Sequence, residues 1–176
     1  MNLGETPNSC GGVLGRGFQS ITRTRVVRVL WSTPGRTFYL YPTIVICFET
    51  FRRGYVEAPI LYYLPFLAWG YLQFRLTRTY QKRMKSGSRG LGVIPTYLLK
   101  NGPYSFTRNP MYLGHLIFLL GLALSFWSWI GFAIFLVNLV WFHKRVLRDE
   151  ALLRMHFGEE HTNYCDRVHR WIPFLF

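Results

Sequence analysis

The sequence predicts an all-α fold: a polytopic membrane bundle of about four transmembrane helices, with a helical C-terminal segment on the cytoplasmic side. Three observations lead there. Half of the 176 residues are hydrophobic and 18% are aromatic, yet the chain carries a formal net charge of +13. The basic residues fall between apolar runs rather than along one soluble face, which suits a membrane protein with its positive charge on one side and argues against nucleic acid as the partner. The third observation is the stretch NGPYSFTRNPMYLGHLIFLLG, residues 101–121, where a Gly-Pro turn and a polar, basic patch run straight into an apolar helix.

Residues 1–36 read as a basic arm lying on anionic headgroups. They hold Arg16, Arg23, Arg25, Arg28 and Arg36 with Glu5 as the one acid, and no apolar run of signal-peptide length follows the first residue. The membrane unit is then expected over residues 37–176.

Thr37 to Phe51 is the first candidate span. It falls short of the roughly 20 residues that a typical bilayer requires, and it contains Pro42 and Glu49. With Arg52 and Arg53 adjacent, Glu49 reads as an interfacial ion pair. Ala58 to Phe74 is the second span, in which Pro65 and Gly70 permit a bend. From Arg75 to Pro110 there is no acid, against Arg75, Arg78, Lys82, Arg83, Lys85, Arg89, Lys100 and Arg108. The positive-inside rule places this loop in the cytoplasm. Its glycine-rich segment, residues 87–92, lacks the strand and the Lys-Ser/Thr of a phosphate loop and reads as a loop only.

Pro110 to Phe126 is the third span and Trp129 to Val146 the fourth. The connection Trp127-Ser128 is too short for anything but an antiparallel hairpin, and it is uncharged, as suits the far side of the membrane. Both termini are then cytoplasmic. The fourth span runs on through HKRVLRDEALLRMHFG as one helix of roughly 30 residues, until Gly158 stops it. The tail reads as a short helix and an extended end broken by Pro173, with Trp171, Phe174, Leu175 and Phe176 docked on the membrane or over a site.

The chemistry gathers at two places. Asn109 fits a helix cap, its side chain accepting from a first-turn amide, and Pro110 fits the first helical position. Arg108 lies just outside, Tyr112 in the first turn, and His115 at i+3 on the same face. Together with the helix N-terminus, Arg108 suits an anionic group such as a carboxylate, although spacing alone fits an interfacial arginine beside a well-capped helix. The second place is Arg148-Asp149-Glu150, where the i,i+4 rule pairs Asp149 with Arg145 and Glu150 with Arg154. Leu153 and Phe157 form an apolar stripe with Glu150, so Glu150 is expected to face the third span and Asp149 to be the more exposed acid. The cysteines, Cys10, Cys47 and Cys165, are odd in number and scattered, and no HExxH pattern occurs, so neither a disulfide framework nor a metal site is expected.

The combination GPYSFTRNPMYLG, an apolar hairpin and RDEALLRMHFGEEHTNYCDRVHRWIP resembles the integral-membrane methyltransferases typified by isoprenylcysteine carboxyl methyltransferase and the phospholipid N-methyltransferases. It covers about Leu99 to Pro173. The family's Arg-His-Pro-x-Tyr matches Arg108, Asn109, Pro110 and Tyr112; its paired acids match Asp149 and Glu150; its FGEEY matches Phe157, Gly158, Glu159, Glu160 and His161. Asn109 stands in place of a histidine and His161 in place of a tyrosine. The resemblance implies S-adenosylmethionine held between the entrance of the third span and the cytoplasmic end of the fourth, by Tyr104, Arg108, Asn109, Pro110, Tyr112, Leu113, Asp149 and Glu150. It assigns Arg108 to the cofactor carboxylate and Glu150 to its ammonium or ribose hydroxyls. His115 would be the base if the acceptor is an amine. The implied acceptor is a lipophilic small molecule or a lipid-modified substrate entering from the bilayer. The RDE segment, the FG and the IPFLF end also resemble membrane sterol and steroid reductases that use NADPH, and a non-catalytic lipid-binding adaptor is a third reading.

Overall fold

The computed structural model describes residues 31–56, 58–85 and 95–171, and these are helices and connecting turns. Most of the basic arm, the 87–92 glycine segment and Pro173 to Phe176 lie outside the described residues. The first helix begins before the expected boundary of the arm. A helical turn, Thr33–Gly35, is capped by the Ser32 hydroxyl, which accepts from the Gly35 amide at 3.2 Å. It continues through a wide π-helical turn, Arg36–Leu40, into α1, Tyr41–Arg53. Gly54 ends α1 with φ 78°, a left-handed conformation that an L side chain rarely adopts.

The second helix is shifted from its expected place. A 3-10 turn, Leu61–Tyr63, leads into α2, Leu64–Arg83, so Ala58 to Ile60 are extended and the helix runs beyond Phe74 into the basic segment. Pro65 sits in the first turn, where its missing amide has no helical partner to lose. Gly70 has a packing role. A Cβ there would lie 2.5 Å from the Phe118 amide nitrogen and 2.7 Å from the Gly114 carbonyl, so α2 and α3 touch backbone to backbone. These two helices form the main packing contact of the molecule.

Helix α3, Pro110–Ser125, and α4, Trp129–Arg167, form the expected hairpin. Ser128 caps α4, its hydroxyl accepting from the Gly131 amide at 3.3 Å. Gly131 in turn lies against Ala123 of α3. Gly158, with φ 50° and ψ −122°, breaks the helical path without ending it, and helix resumes to Arg167. The apolar stripe behaves as expected: Leu153 packs with Leu98, Tyr164 and Val168, with Phe157 against them.

The polarity of the bundle favours an apolar surrounding. Phe51, Tyr62, Trp69, Leu76, Val137 and Val140 are exposed, whereas Thr37, Thr77, His115 and Ser125 are fully buried. Extended apolar surface of this kind needs a membrane or a partner to cover it. Among the described residues, Trp129–Arg167 alone has both the length and the apolarity to cross a bilayer, and Pro110–Ser125 is a shorter apolar helix.

The ends of the helices are tied in register. The Ile60 amide donates to the Ser125 carbonyl at 2.7 Å, and an Arg53 guanidinium nitrogen donates to the Phe126 carbonyl at 3.2 Å. The C-terminus of α1, the start of the α2 segment and the turn between α3 and α4 therefore share one end of the bundle. Glu49 lies at that end and pairs with Arg52 at 2.6 Å and Arg53 at 3.0 Å, with its own side chain buried.

Candidate functional site

The opposite end of the bundle holds the entrance of α3. Tyr104 is seated first: its ring is buried, its hydroxyl accepts from the Gln81 side-chain amide at 2.5 Å, and its carbonyl accepts from the Tyr164 hydroxyl at 2.6 Å. Tyr104 thus joins the turn before α3 to α2 through its side chain and to the far part of α4 through its backbone.

Helix α3 starts at Pro110 as expected, but Asn109 is not its side-chain cap. The Thr107 hydroxyl accepts from the Asn109 amide at 3.3 Å and donates to the Arg170 carbonyl at 3.1 Å. Freed from capping, the Asn109 side chain donates to the Arg170 carbonyl at 3.3 Å and lies 3.5 Å from Glu150 Oε1. The backbone joins in, as the Arg108 amide donates to the His169 carbonyl at 3.0 Å. The segment 168–171 is thereby strapped across the entrance, and Trp171 lies with its ring near His143. Of the apolar C-terminal residues, Trp171 is the one within the described structure.

The paired acids part company. Glu150 does not pair with Arg154; Oε2 accepts from the Arg170 guanidinium at 2.8 and 3.0 Å, and Oε1 lies 3.5 Å from Arg108 Nε. The i,i+4 expectation fails because two guanidiniums brought in by the loop and the tail offer a partly desolvated contact. Asp149 accepts from the Tyr112 hydroxyl at 2.9 Å and stands 4.0 Å from Arg145, the pair that the spacing predicted. Both acids therefore address the α3 entrance, contrary to the expectation that only one would, because Glu150 reaches the residues before the helix and Asp149 reaches its first turn. Glu150 is the less exposed of the two, at 13% against 23%.

Around Asp149 lies a crevice formed with Gln81, Tyr104, Asn109, Pro110, Met111 and Tyr112. It shares Gln81, Met111 and Tyr112 with a cavity of about 560 Å³, whose walls also include Phe74, Arg78, His115 and Arg145. Five of the residues that the sequence singled out, Tyr104, Asn109, Pro110, Tyr112 and Asp149, thus surround one crevice. Arg108 and Glu150 stand on the side of the strap, and Leu113 lines neither of these two spaces. Arg145 is held by its guanidinium over the Tyr112 and Trp141 rings, 5.5 and 5.2 Å from their centroids.

His115 does share a face with Tyr112, since both rings pack on Phe142. Phe38 stacks on the imidazole at 5.0 Å and Phe74 lies at 4.9 Å. The side chain is 1% exposed, and its Nδ1 atom has no hydrogen-bond partner among the described residues although it borders the large cavity. A buried polar atom of a residue that lines a cavity is satisfied by an ordered water or by a ligand.

Gln81, Thr107 and Arg170 are the site residues that sequence reasoning missed. Gln81 had a faint signal, as an uncharged polar residue inside a run of cations. Arg170 had none, because its partner lies 20 positions away. His161, in the place of the family's tyrosine, is buried beside the Cys165 sulfur at 3.6 Å.

Comparison with known proteins bears on the same region. The family model described as phospholipid methyltransferase matches residues 67–160. A probable protein-S-isoprenylcysteine O-methyltransferase of Oryza sativa subsp. indica is 34% identical over 79 residues, covering 44% of this chain and 41% of the relative. The protein-S-isoprenylcysteine O-methyltransferase of Schizosaccharomyces pombe is 30% identical over 79 residues, covering 44% and 34%. Protein-S-isoprenylcysteine O-methyltransferase B of Arabidopsis thaliana is 32% identical over 80 residues, covering 44% and 40%. The matched stretch thus spans about two fifths or less of each curated relative.

Proposed function

Because the chain belongs to the phospholipid methyltransferase family, whose match takes in residues 67–160, we propose that it transfers a methyl group from S-adenosylmethionine to a lipophilic acceptor. The observation that carries this reading is the convergence of Tyr104, Asn109, Pro110, Tyr112 and Asp149 on one crevice that shares Gln81, Met111 and Tyr112 with a cavity of about 560 Å³. That volume lies within the range of cofactor sites, roughly 300–1,000 Å³. The donor set fits as well. Asp149 offers a carboxylate to an ammonium or ribose hydroxyls, Arg145 offers a cation to a carboxylate, and the His115 imidazole offers a polar contact.

S-adenosylmethionine brings a methyl group already activated on a sulfonium, so the protein mainly aligns the reactants and excludes water. Tyr112 holds Asp149 toward the crevice, and the aromatic cage of Phe38, Phe74 and Phe142 keeps the His115 side dry. His115 takes the proton when the acceptor is an amine; a carboxylate or thiolate acceptor needs no base. Arg108 and Glu150 act through the strap, because the ion pairs of Glu150 with Arg108 and with Arg170 fix the α3 entrance against segment 168–171.

The proposed setting is a four-span bundle with both termini and the 75–110 loop in the cytoplasm. Placement of Arg53, Ile60 and the α3–α4 turn at one end, opposite the site, supports that alternation. The acceptor would be a lipid or a lipid-modified substrate. Isothermal titration of purified protein against S-adenosylmethionine and NADPH tests the reading. Binding of the first and not the second is expected; the reverse would make the chain a reductase-like protein, and binding of neither would leave a lipid-binding adaptor.

A further inference from the structure

A second cavity, of about 450 Å³, adjoins the first and shares Pro34, Phe74, Arg78 and Lys82 with it. It lies between the first helical segment and α2. One wall is aromatic, from Phe38, Tyr39 and Tyr71, and the rest carries Arg75, Arg78 and Lys82. Tyr39 and Tyr71 are exposed, so the space opens on the surface of the bundle.

Among the described residues, the charge at this place has no carboxylate partner. Arg75 rests near the Tyr71 ring at 5.9 Å and donates to its hydroxyl at 3.4 Å, and Arg78 lies over Phe74 at 5.9 Å. No carboxylate pairs with Arg75, Arg78 or Lys82 among the described residues. Glu49 is taken by Arg52 and Arg53, Glu150 by Arg170, Asp149 by Tyr112, and Glu160 by Lys100 at 2.7 Å. Three like charges on one helix face repel each other at this spacing and are relieved by an anion. S-adenosylmethionine is a poor candidate for that anion, since its sulfonium and ammonium leave it net positive.

We infer that the cavity between the first helical segment and α2 binds the head group of the methyl acceptor, and that Arg75, Arg78 and Lys82 select an anionic amphiphile. The inference rests on the methyltransferase reading for the word acceptor, but the anion selectivity stands on the cavity itself. A carboxylate or phosphate oxygen would meet the two guanidiniums, while the chain attached to it would lie against Phe38, Tyr39 and Tyr71. Arg78 and Lys82, which border both cavities, would place that head group next to the donor.

The test uses the full chain in neutral maltoside micelles, titrated with dodecyl phosphate, dodecanoate, dodecyltrimethylammonium and inorganic phosphate. The two anionic amphiphiles are expected to bind at least about tenfold more tightly than the cationic one, and to weaken as salt is raised, because these cations are exposed enough to be screened. The Arg75→Gln/Arg78→Gln variant should lose that preference, and Arg75→Lys/Arg78→Lys, which keeps the charge, should retain most of it. Equal affinity for anionic and cationic amphiphiles, or a preference unchanged in the glutamine variant, would overturn the inference. Inorganic phosphate binding as tightly as dodecyl phosphate would overturn it too, by making the site one for free anions. S-adenosylmethionine titrated into the same samples separates the two readings. Loss of donor binding with the anion preference intact removes the methyltransferase reading alone, and an absent preference with donor binding intact removes this inference alone.

Discussion

The Tyr112 hydroxyl donates to Asp149 Oδ2 at 2.9 Å, joining the first turn of α3 to the middle of α4. This bond turns Asp149, and not its neighbour Glu150, into the acid of the crevice. Asp149→Asn keeps the shape and removes the charge, and should weaken S-adenosylmethionine binding at least tenfold, about 1.4 kcal/mol. Titration calorimetry reads this directly. An affinity equal to that of the unaltered chain would place the donor elsewhere.

Glu150→Gln should behave differently. It leaves Arg108 and Arg170 with a neutral partner in a place where Glu150 is only 13% exposed. The loss should appear first as stability, about 1.5–3 kcal/mol in thermal or denaturant unfolding, the scale of hydrogen bonds to charged groups. Proteolysis after Arg170 should quicken as the strap loosens. A donor affinity reduced more than in Asp149→Asn, with stability unchanged, would reverse the roles given to the two acids.

Gly70→Ala puts a Cβ 2.5 Å from the Phe118 nitrogen, where no side chain can move aside. The helices α2 and α3 must separate, which should cost about 1–3 kcal/mol or more. Gly54→Ala, with open space around it, serves as a comparison in which backbone conformation alone is disturbed. A melting temperature for Gly70→Ala no lower than that of the unaltered chain would show that the two helices are not in backbone contact.

The membrane topology has its own test. Trp127 is 59% exposed in the α3–α4 turn, whereas Ser128 is buried and caps α4, so Trp127→Cys is the informative labelling site. With Cys10, Cys47 and Cys165 replaced by serine, a membrane-impermeant thiol reagent should reach position 127 only from the non-cytoplasmic side. Labelling from the cytoplasm alone would invert the proposed topology.

Much of this was legible in local rules, and the failures share a cause. Pro110 opens α3 and Gly158 interrupts α4 because each acts through its own backbone, which the sequence displays. The Leu153 and Phe157 stripe could be read for the same reason, as helical periodicity fixes which residues share a face. Asn109 was misread as a cap because its side chain is drawn away from the first turn, donating to the Arg170 carbonyl that the folded tail brings in. Glu150 was misread because its strongest partner, Arg170, arrives with the folded tail and outcompetes the i,i+4 neighbour. Gly70 looked like a site of flexibility and is a site of contact, which only the position of α3 reveals. The site residues that needed tertiary structure are those held across elements, and the motif residues found from sequence are those clustered within one.

The most direct measurement supplies purified protein with S-adenosylmethionine radiolabelled on its methyl group and a total membrane lipid extract. Label should pass into the organic-soluble fraction with the unaltered chain, fall strongly with Asp149→Asn, and fall by roughly a hundredfold or more with His115→Ala if the labelled product is a methylated amine. A folded, membrane-inserted chain that binds S-adenosylmethionine no better than background and transfers no label to any lipid or prenylated cysteine would contradict the account.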